Sequence, residues 1–352
     1  MIKGSRRTLK TWGSGLVTPD VFEAGAAPLG DYTAIAVLAR SSHLAPLMQS
    51  GLIGPQSRVF APGIRDEGPE PLMMGYEGSL SDPGGEVQVG TSFFLQTQDY
   101  GTSEYLSLIG ATLVRVVDDQ DLGCFLEDAD RARESGDFPV FLTHHLVSLC
   151  DAPGLGASRT HDGPALRIYV DEQGGISTSP SGLRLGEVGD SLAQLDKEWR
   201  HLNGDDEPSC NVCLGAVVDN TTRATAMAQR PWLARYHGAI SGLQHMRGRD
   251  IGLDGEVRVS GFGGRLDPDL EGISDAADER DAAAPVLMWI TDDVYLHDAA
   301  TDRSFRLDRA TGVLAERVLV HGSVEAAAAS GHRDNLKKVA SYFERAGVPL
   351  CE

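Results

Sequence analysis

The first 160 residues alternate short apolar runs with amphipathic stretches. The run "YTAIAVLA" is continuously apolar, as in a strand buried on both faces. Further strands are predicted in "SRVFAPG", "VQVGTSFFLQTQ", "ATLVRVV" and "FPVFLTH", with helices in "HLAPLMQSG", "SEYLSLIGA" and "DQDLGCFLEDADRARESG". Strands that alternate with helices predict an α/β fold with an open, mostly parallel sheet over residues 1–160.

Residues 161–266 are predicted to form an α+β middle region that packs on the α/β domain of residues 1–160. "ALRIYV" predicts a strand, and "EVGDSLAQLDKEWRHLNG" and "TTRATAMAQRPWLARYHGAISGLQHMRG" predict helices. Residues 267–285 follow, with seven acidic residues, one Arg and no aromatic residue. That composition predicts a solvated acidic linker.

Residues 286–352 have the pattern of a small domain of their own. Three short apolar runs, "VLMWI", "VYLHD" and "SFRLD", are separated by polar turns. Asp308 can cap the first of three helical segments. In the last segment, "NLKKVASYFERAG", an apolar face recurs at helical spacing at Leu336, Val339, Phe343 and Ala346. Three strands followed by three helices predict a winged-helix-like α+β domain.

This C-terminal pattern resembles the PqqD-like RiPP recognition element, a domain that captures leader peptides of ribosomally made, post-translationally modified peptides. The resemblance covers residues 286–350 and rests on the "F-x-L" third strand, the "TG" at a helix start, the "GS-x-E" second helix and the final helix with aromatic and basic positions. It implies that a leader peptide adds as an extra strand beside the third strand and lies against the last helix.

Mapped onto this chain, the resemblance implies a set of peptide-binding positions. Phe305 and Leu307 should face the core, with Ser304 and Arg306 on the opposite face. Lys338, Tyr342 and Arg345 should form the wall of a groove, and the basic side chains would suit an acidic leader. For each basic residue taken singly, simple solvation without a role in binding is an equally good interpretation. The complete set is Arg303, Ser304, Phe305, Arg306, Leu307, Lys337, Lys338, Tyr342 and Arg345.

The layout of the whole chain is similar to that of the RiPP recognition proteins of daptide biosynthesis. That similarity implies a non-catalytic scaffold, without a cofactor, that presents a precursor to dehydrogenase-like and aminotransferase-like enzymes of the same pathway. Two other hypotheses stay open: a modifying enzyme fused to a leader-binding domain, and a winged-helix transcription regulator.

Charge and cysteine usage narrow the choice of partner. The net charge of −20 disfavours nucleic acid and anionic membrane. Residues 286–350 hold nine acidic and eight basic residues, a net of −1, which favours a peptide over DNA. The N-terminal stretch carries basic residues without an apolar core, so no secretory signal is predicted. We therefore expect a cytoplasmic protein whose five cysteines are reduced.

Other candidate chemistry gives weaker signals. Cys210 and Cys213 have the spacing of half a zinc site or a redox pair, but two ordinary thiols are the favoured interpretation. The sequence offers four further candidate zinc ligands, Cys150, His144, His145 and His201. "GFGGRL" favours a tight turn over a phosphate cradle. His144 and His145 could end a strand at a ligand-binding edge. His237 and His245 are too far apart along a helix to share a metal ion.

Overall fold

The structure, a computed structural model, describes residues 2–17, 31–64, 72–90, 93–157, 162–204, 210–251, 256–279 and 284–351. The chain forms two compact units. Unit 1 comprises Met1–Phe125 and Leu146–Met227, and unit 2 comprises Leu126–His145 and Ala228–Glu352.

Unit 1 is an α/β unit built on one large sheet. Its strands are β1 (Ile35–Leu38), β2 (Arg58–Pro62), β3 (Leu72–Gly78), β4 (Glu86–Val89), β5 (Phe93–Asp99), β6 (Ala111–Arg115), β7 (Val147–Leu149), β8 (Arg167–Val170), β9 (Gly175–Ser177) and β10 (Gly186–Glu187). Its helices are α1 (Ile2–Ser14), α2 (Leu44–Gln49), α3 (Tyr100–Ser103), α4 (Asp119–Ser135, which continues into unit 2), α5 (Leu192–Asn203) and α6 (Asn220–Ala228).

The ten strands lie in the order β10-β9-β8-β1-β2-β3-β4-β5-β6-β7. Five neighbouring pairs are parallel and four are antiparallel. The predicted α/β class is therefore confirmed, but the sheet is mixed rather than mostly parallel. Residues 167–187 supply three of its strands, so this sheet extends beyond the first 160 residues.

The sheet of unit 1 is buried on both faces. Successive side chains of a strand point to opposite faces, and in β1 Ile35 and Val37 enter one apolar cluster while Ala36 and Leu38 enter another. Helix α1 packs on the first cluster through Leu9 and Trp12, and the second contains residues of α2 and α5. This double burial explains the continuous apolar run at the start of the sequence.

Unit 2 combines a four-stranded antiparallel sheet with helices. Its strands are β11 (Arg258–Val259), β12 (Val286–Ile290), β13 (Asp293–Asp298) and β14 (Arg303–Leu307), in that order across the sheet. Its helices are α7 (Leu233–Arg247), α8 (Arg309–His321), α9 (Val324–Ala327) and α10 (Arg333–Arg345). The three predicted strands and three helices of the C-terminal region are present, and β11 adds a strand from upstream.

The core of unit 2 lies between the sheet and helices α8 to α10. Leu296 and Val294 of β13 join Val318 of α8 and Leu336 and Phe343 of α10 in one cluster. Asp308 caps α8 by accepting a hydrogen bond from the backbone N–H of Thr311, as its position in the sequence predicts. Ser323 caps α9 in the same way.

Part of the acidic segment differs from the predicted solvated linker. Asp275 is 3% exposed and forms ion pairs with Arg235 at 2.5 Å and Arg265 at 2.7 Å. Asp267 is also buried and pairs with Arg317 at 2.5 Å. The prediction was wrong for these carboxylates because their arginine partners come from distant parts of the sequence. Residues 280–283 of the segment lie outside the described residues.

Two element predictions in the first half were also wrong. "FPVFLTH" forms turns instead of a strand, and the strand follows it as β7. In "SEYLSLIGA" only the first residue is helical, because α3 ends at Ser103. In the described part of the chain, we find no helix with both the length and the apolar character needed to span a bilayer.

Candidate functional site

Strand β14 lies at one edge of the sheet of unit 2. It pairs with β13 in an antiparallel register that places Leu296 opposite Phe305 and Val294 opposite Leu307. Among the described residues, β13 is the only strand that pairs with it. Half of the backbone N–H and C=O groups of an edge strand point away from its neighbour, so β14 offers hydrogen-bonding groups to a further strand.

One face of β14 turns toward the helices. Phe305 and Leu307 are half-buried against the apolar cluster of unit 2. The ring of Phe305 packs edge-on against Phe343 of α10, with the centroids 5.5 Å apart. This confirms the predicted orientation of both residues, because alternate positions of β13 and β14 supply the same buried face.

Arg303 connects β14 to the end of α10. Its guanidinium carbon lies 5.0 Å from the centre of the Phe305 ring. Its Nη1 donates a 2.8 Å hydrogen bond to the backbone oxygen of Ala346. The side chain thus satisfies a carbonyl group at a helix C-terminus, where positive charge is favourable.

The opposite face of β14 carries Ser304 and Arg306, as predicted. The hydroxyl of Ser304 lies 2.9 Å from Nδ1 of His297 on β13. Arg306 is exposed and forms a 2.6 Å ion pair with Asp293. The hydrogen bond to Asp293 and the charge of that carboxylate raise the pKa of Arg306. Arg306 is therefore already paired with a carboxylate of this chain, and it lies on the face away from α10.

The exposed surface of α10 holds the remaining predicted residues. Tyr342 is 53% exposed, and its ring lies 5.2 Å from that of Phe343. Lys338 and Arg345 follow the same stripe of the helix and are exposed. Lys337 is exposed as well, but it lies five positions before Tyr342, which corresponds to about 140° around the helix axis. The two side chains therefore lie on different sides of α10.

These contacts bring together only part of the predicted set. Arg303, Phe305 and Tyr342 gather around Phe343, where β14 meets α10. Phe343 was predicted as a core residue and not as part of the site, yet its ring connects the strand to the helix.

Cys210 and Cys213 form a disulfide in unit 1, so the expectation of five reduced thiols was wrong for this pair. Their Cα atoms are 5.9 Å apart, within the usual range for a disulfide. Both residues are fully buried, and Sγ of Cys213 lies 3.0 Å from a carboxylate oxygen of Asp162. Asp162 is itself paired with buried Arg167 at 3.0 Å. In the part of the chain that the structure describes, the metal-ligating types that gather here are Asp162, Cys210 and Cys213, and the group does not include Cys150, His144, His145 or His201.

Two other sequence signals resolve into local structure. Gly261 and Gly263 adopt positive φ angles of 81° and 70°, and the Gly261 N–H bonds the Gly264 oxygen, which confirms the tight turn. At Gly263 a Cβ would lie 2.3 Å from the backbone carbon of Ser135, so only glycine fits. His144 and His145 stack on each other before β7 begins, and so do not end a strand.

Sequence reasoning missed a cluster in unit 2 formed by His245 of α7, His297 of β13 and Asp302 of the β13–β14 turn. These residues are up to 57 positions apart, and only the packing of the helix against the sheet brings them together. No spacing pattern in the sequence pointed to them.

No protein-family model, no curated protein and no solved structure matches the chain.

Proposed function

We propose that the C-terminal part of unit 2 is a PqqD-like, winged-helix-like recognition element that captures the leader peptide of a RiPP precursor by adding it as a strand to β14. The observation that carries this proposal is the position of β14: among the described residues it pairs on one side only. Strand addition derives much of its affinity from main-chain hydrogen bonds, and side-chain pockets supply the register.

The junction of β14 with α10 supports the proposal by offering an aromatic surface to a leader side chain. Phe305, Phe343 and Tyr342 form a row of aromatic rings, and the outermost of them is half exposed. An apolar leader side chain placed beside β14 would cover Tyr342 and gain from its burial. Aromatic anchors of this kind usually dominate the energetics of an interface.

The ion pairs of the basic residues near β14 change where an acidic leader residue is expected to bind. Arg303 is bound to the end of α10 and Arg306 to Asp293, so neither is a free cation for an acidic leader. Lys338 and Arg345 are exposed on the same stripe as Tyr342. An acidic leader residue is therefore expected to meet α10 rather than β14.

In this proposal the protein is a cytoplasmic scaffold and not a catalyst. Leader capture tethers the core peptide near modifying enzymes, and a short tether raises the local substrate concentration to the millimolar range. Dehydrogenase-like and aminotransferase-like enzymes of a daptide pathway are the partners we propose. We expect a leader affinity of about 1 μM, equivalent to about −8 kcal/mol.

A pair of proline variants tests the docking edge. Backbone N–H groups point alternately to the two sides of a strand, so of Arg306 and Leu307 one donates toward β13 and the other toward the open side. Arg306→Pro and Leu307→Pro are compared with Arg306→Ala and Leu307→Ala, which control for the side chains. The proposal implies a short precursor gene near the gene of this chain, and the probe is a synthetic peptide with the leader sequence of that precursor, titrated calorimetrically against the full chain.

The proline on the open side should leave the melting temperature at that of its alanine control and weaken leader binding about 10-fold or more. A lost hydrogen bond contributes about 1 kcal/mol, and the proline ring also blocks the approaching strand. If the stable proline variant binds as tightly as its control, the proposal is refuted. If both proline variants unfold, Tyr342→Ala provides the test. Unchanged leader affinity in that folded variant would show that the leader does not contact the aromatic surface.

A further inference from the structure

The cluster of His245, His297 and Asp302 has the composition of a metal site. One potential ligand atom from each residue lies within 4.8 Å of the others. The two imidazole rings are 5.1 Å apart, and Nδ1 of His245 lies 3.0 Å from the carboxylate of Asp302. Two imidazole nitrogens and one carboxylate oxygen are a donor set used by zinc enzymes and by other first-row transition metals.

The surroundings hold His297 in place for coordination. Nδ1 of His297 lies 2.9 Å from the hydroxyl of Ser304, and Nε2 lies 3.1 Å from that of Ser241. One hydroxyl can therefore keep orienting the ring while the other nitrogen binds a metal, as outer-shell groups do in metal sites. A Cβ at residue 242 would lie 3.3 Å from Cδ2 of His297, so Gly242 lets the helix approach this ring closely.

We propose that His245, His297 and Asp302 bind one divalent transition-metal ion, with Zn²⁺ the principal candidate, and that this ion ties the β13–β14 turn to α7. Three protein ligands leave a coordination position for water, which is the arrangement of open zinc sites rather than closed structural ones. Because Ser304 belongs to β14 and contacts His297, the ion would also steady the start of the edge strand.

The test uses tag-free full-length protein that has been stripped with a chelator. Co²⁺ is titrated first and followed by its visible absorption, and Zn²⁺ is then added to displace it. We expect one equivalent to bind. The variants are His245→Gln and Asp302→Asn, both close to the original side chains in size, and His321→Gln is the matched control because His321 lies on α8 outside the cluster.

We expect His245→Gln to weaken binding more than about 100-fold and Asp302→Asn about 10-fold or more, since even outer-shell partners contribute about 10- to 100-fold to metal affinity. His321→Gln should bind like the wild type. Zn²⁺ should raise the melting temperature of the wild type and of the control, but not of His245→Gln. Wild-type protein that binds no equivalent, or equal affinity in all variants, would overturn the site. Because no leader is present, the result is independent of the proposed function.

Discussion

Asp275 allows a direct measurement of what the acidic segment contributes to unit 2. Its side chain is fully buried between Arg235 and Arg265. Asp275→Asn keeps the size of the side chain but removes the charge that both guanidinium groups face. Breaking a buried ion pair costs about 3–5 kcal/mol. Since Arg235 keeps a second partner, Asp278 at 2.7 Å, we expect the lower end, about 3 kcal/mol.

Urea unfolding read by pulsed hydrogen exchange and mass spectrometry assigns the transition to peptides of unit 2. With a denaturant slope of about 2 kcal/mol per molar, the midpoint should fall by about 1.5 M. Asp269→Asn is the matched control: this carboxylate is 83% exposed and pairs with Arg317, so we expect a change below about 0.5 kcal/mol. Equal midpoints for Asp275→Asn and the control would refute the reasoning.

The same variant predicts a pH dependence. Burial alone raises the pKa of Asp275, but Arg235 and Arg265 outweigh it and lower the pKa overall. A carboxyl whose pKa is lower in the folded state stabilises the protein above its unfolded-state pKa, about 3.9, and this contribution is lost as the pH falls toward the folded value. The difference between wild type and Asp275→Asn should thus be full at pH 7 and shrink below about pH 4.

Two further predictions concern packing and the thiols. Gly312→Ala should destabilise unit 2 by about 1–2 kcal/mol in urea unfolding, because the new Cβ would lie 2.7 Å from Val294. In the control Gly123→Ala the new Cβ meets nothing within 4 Å, so this variant should stabilise its helix by about 1 kcal/mol. Equal changes in stability for the two variants would contradict this prediction. Thiol titration of the unfolded protein should find three groups without reductant and five with it, and native Cys150, whose pKa burial raises to about 12, should resist alkylation at pH 8.

The sequence by itself determined most of the local structure. Short apolar runs predicted β1 and β8, which are buried at every position. Period-two and period-3.6 patterns predicted the three strands and three helices after residue 285, because burial of one face dictates where apolar residues recur. The cap at Asp308 was predictable because its hydrogen bond reaches only a few residues along the chain. The orientation of Phe305 and Leu307 followed from strand alternation.

Only the tertiary structure decided the interactions between distant residues. Charge composition made the acidic segment look solvated, because composition does not reveal that Arg235 would reach Asp275 across 40 positions. His245 and His297 meet only because α7 packs on the sheet. Likewise, pairing of β14 on one side is a property of strand order, which no local pattern encodes. Local sequence patterns determine where helices and strands form, because they depend on residues close together in the chain. Contacts between distant residues determine which polar groups are paired within the protein and which are left unpaired.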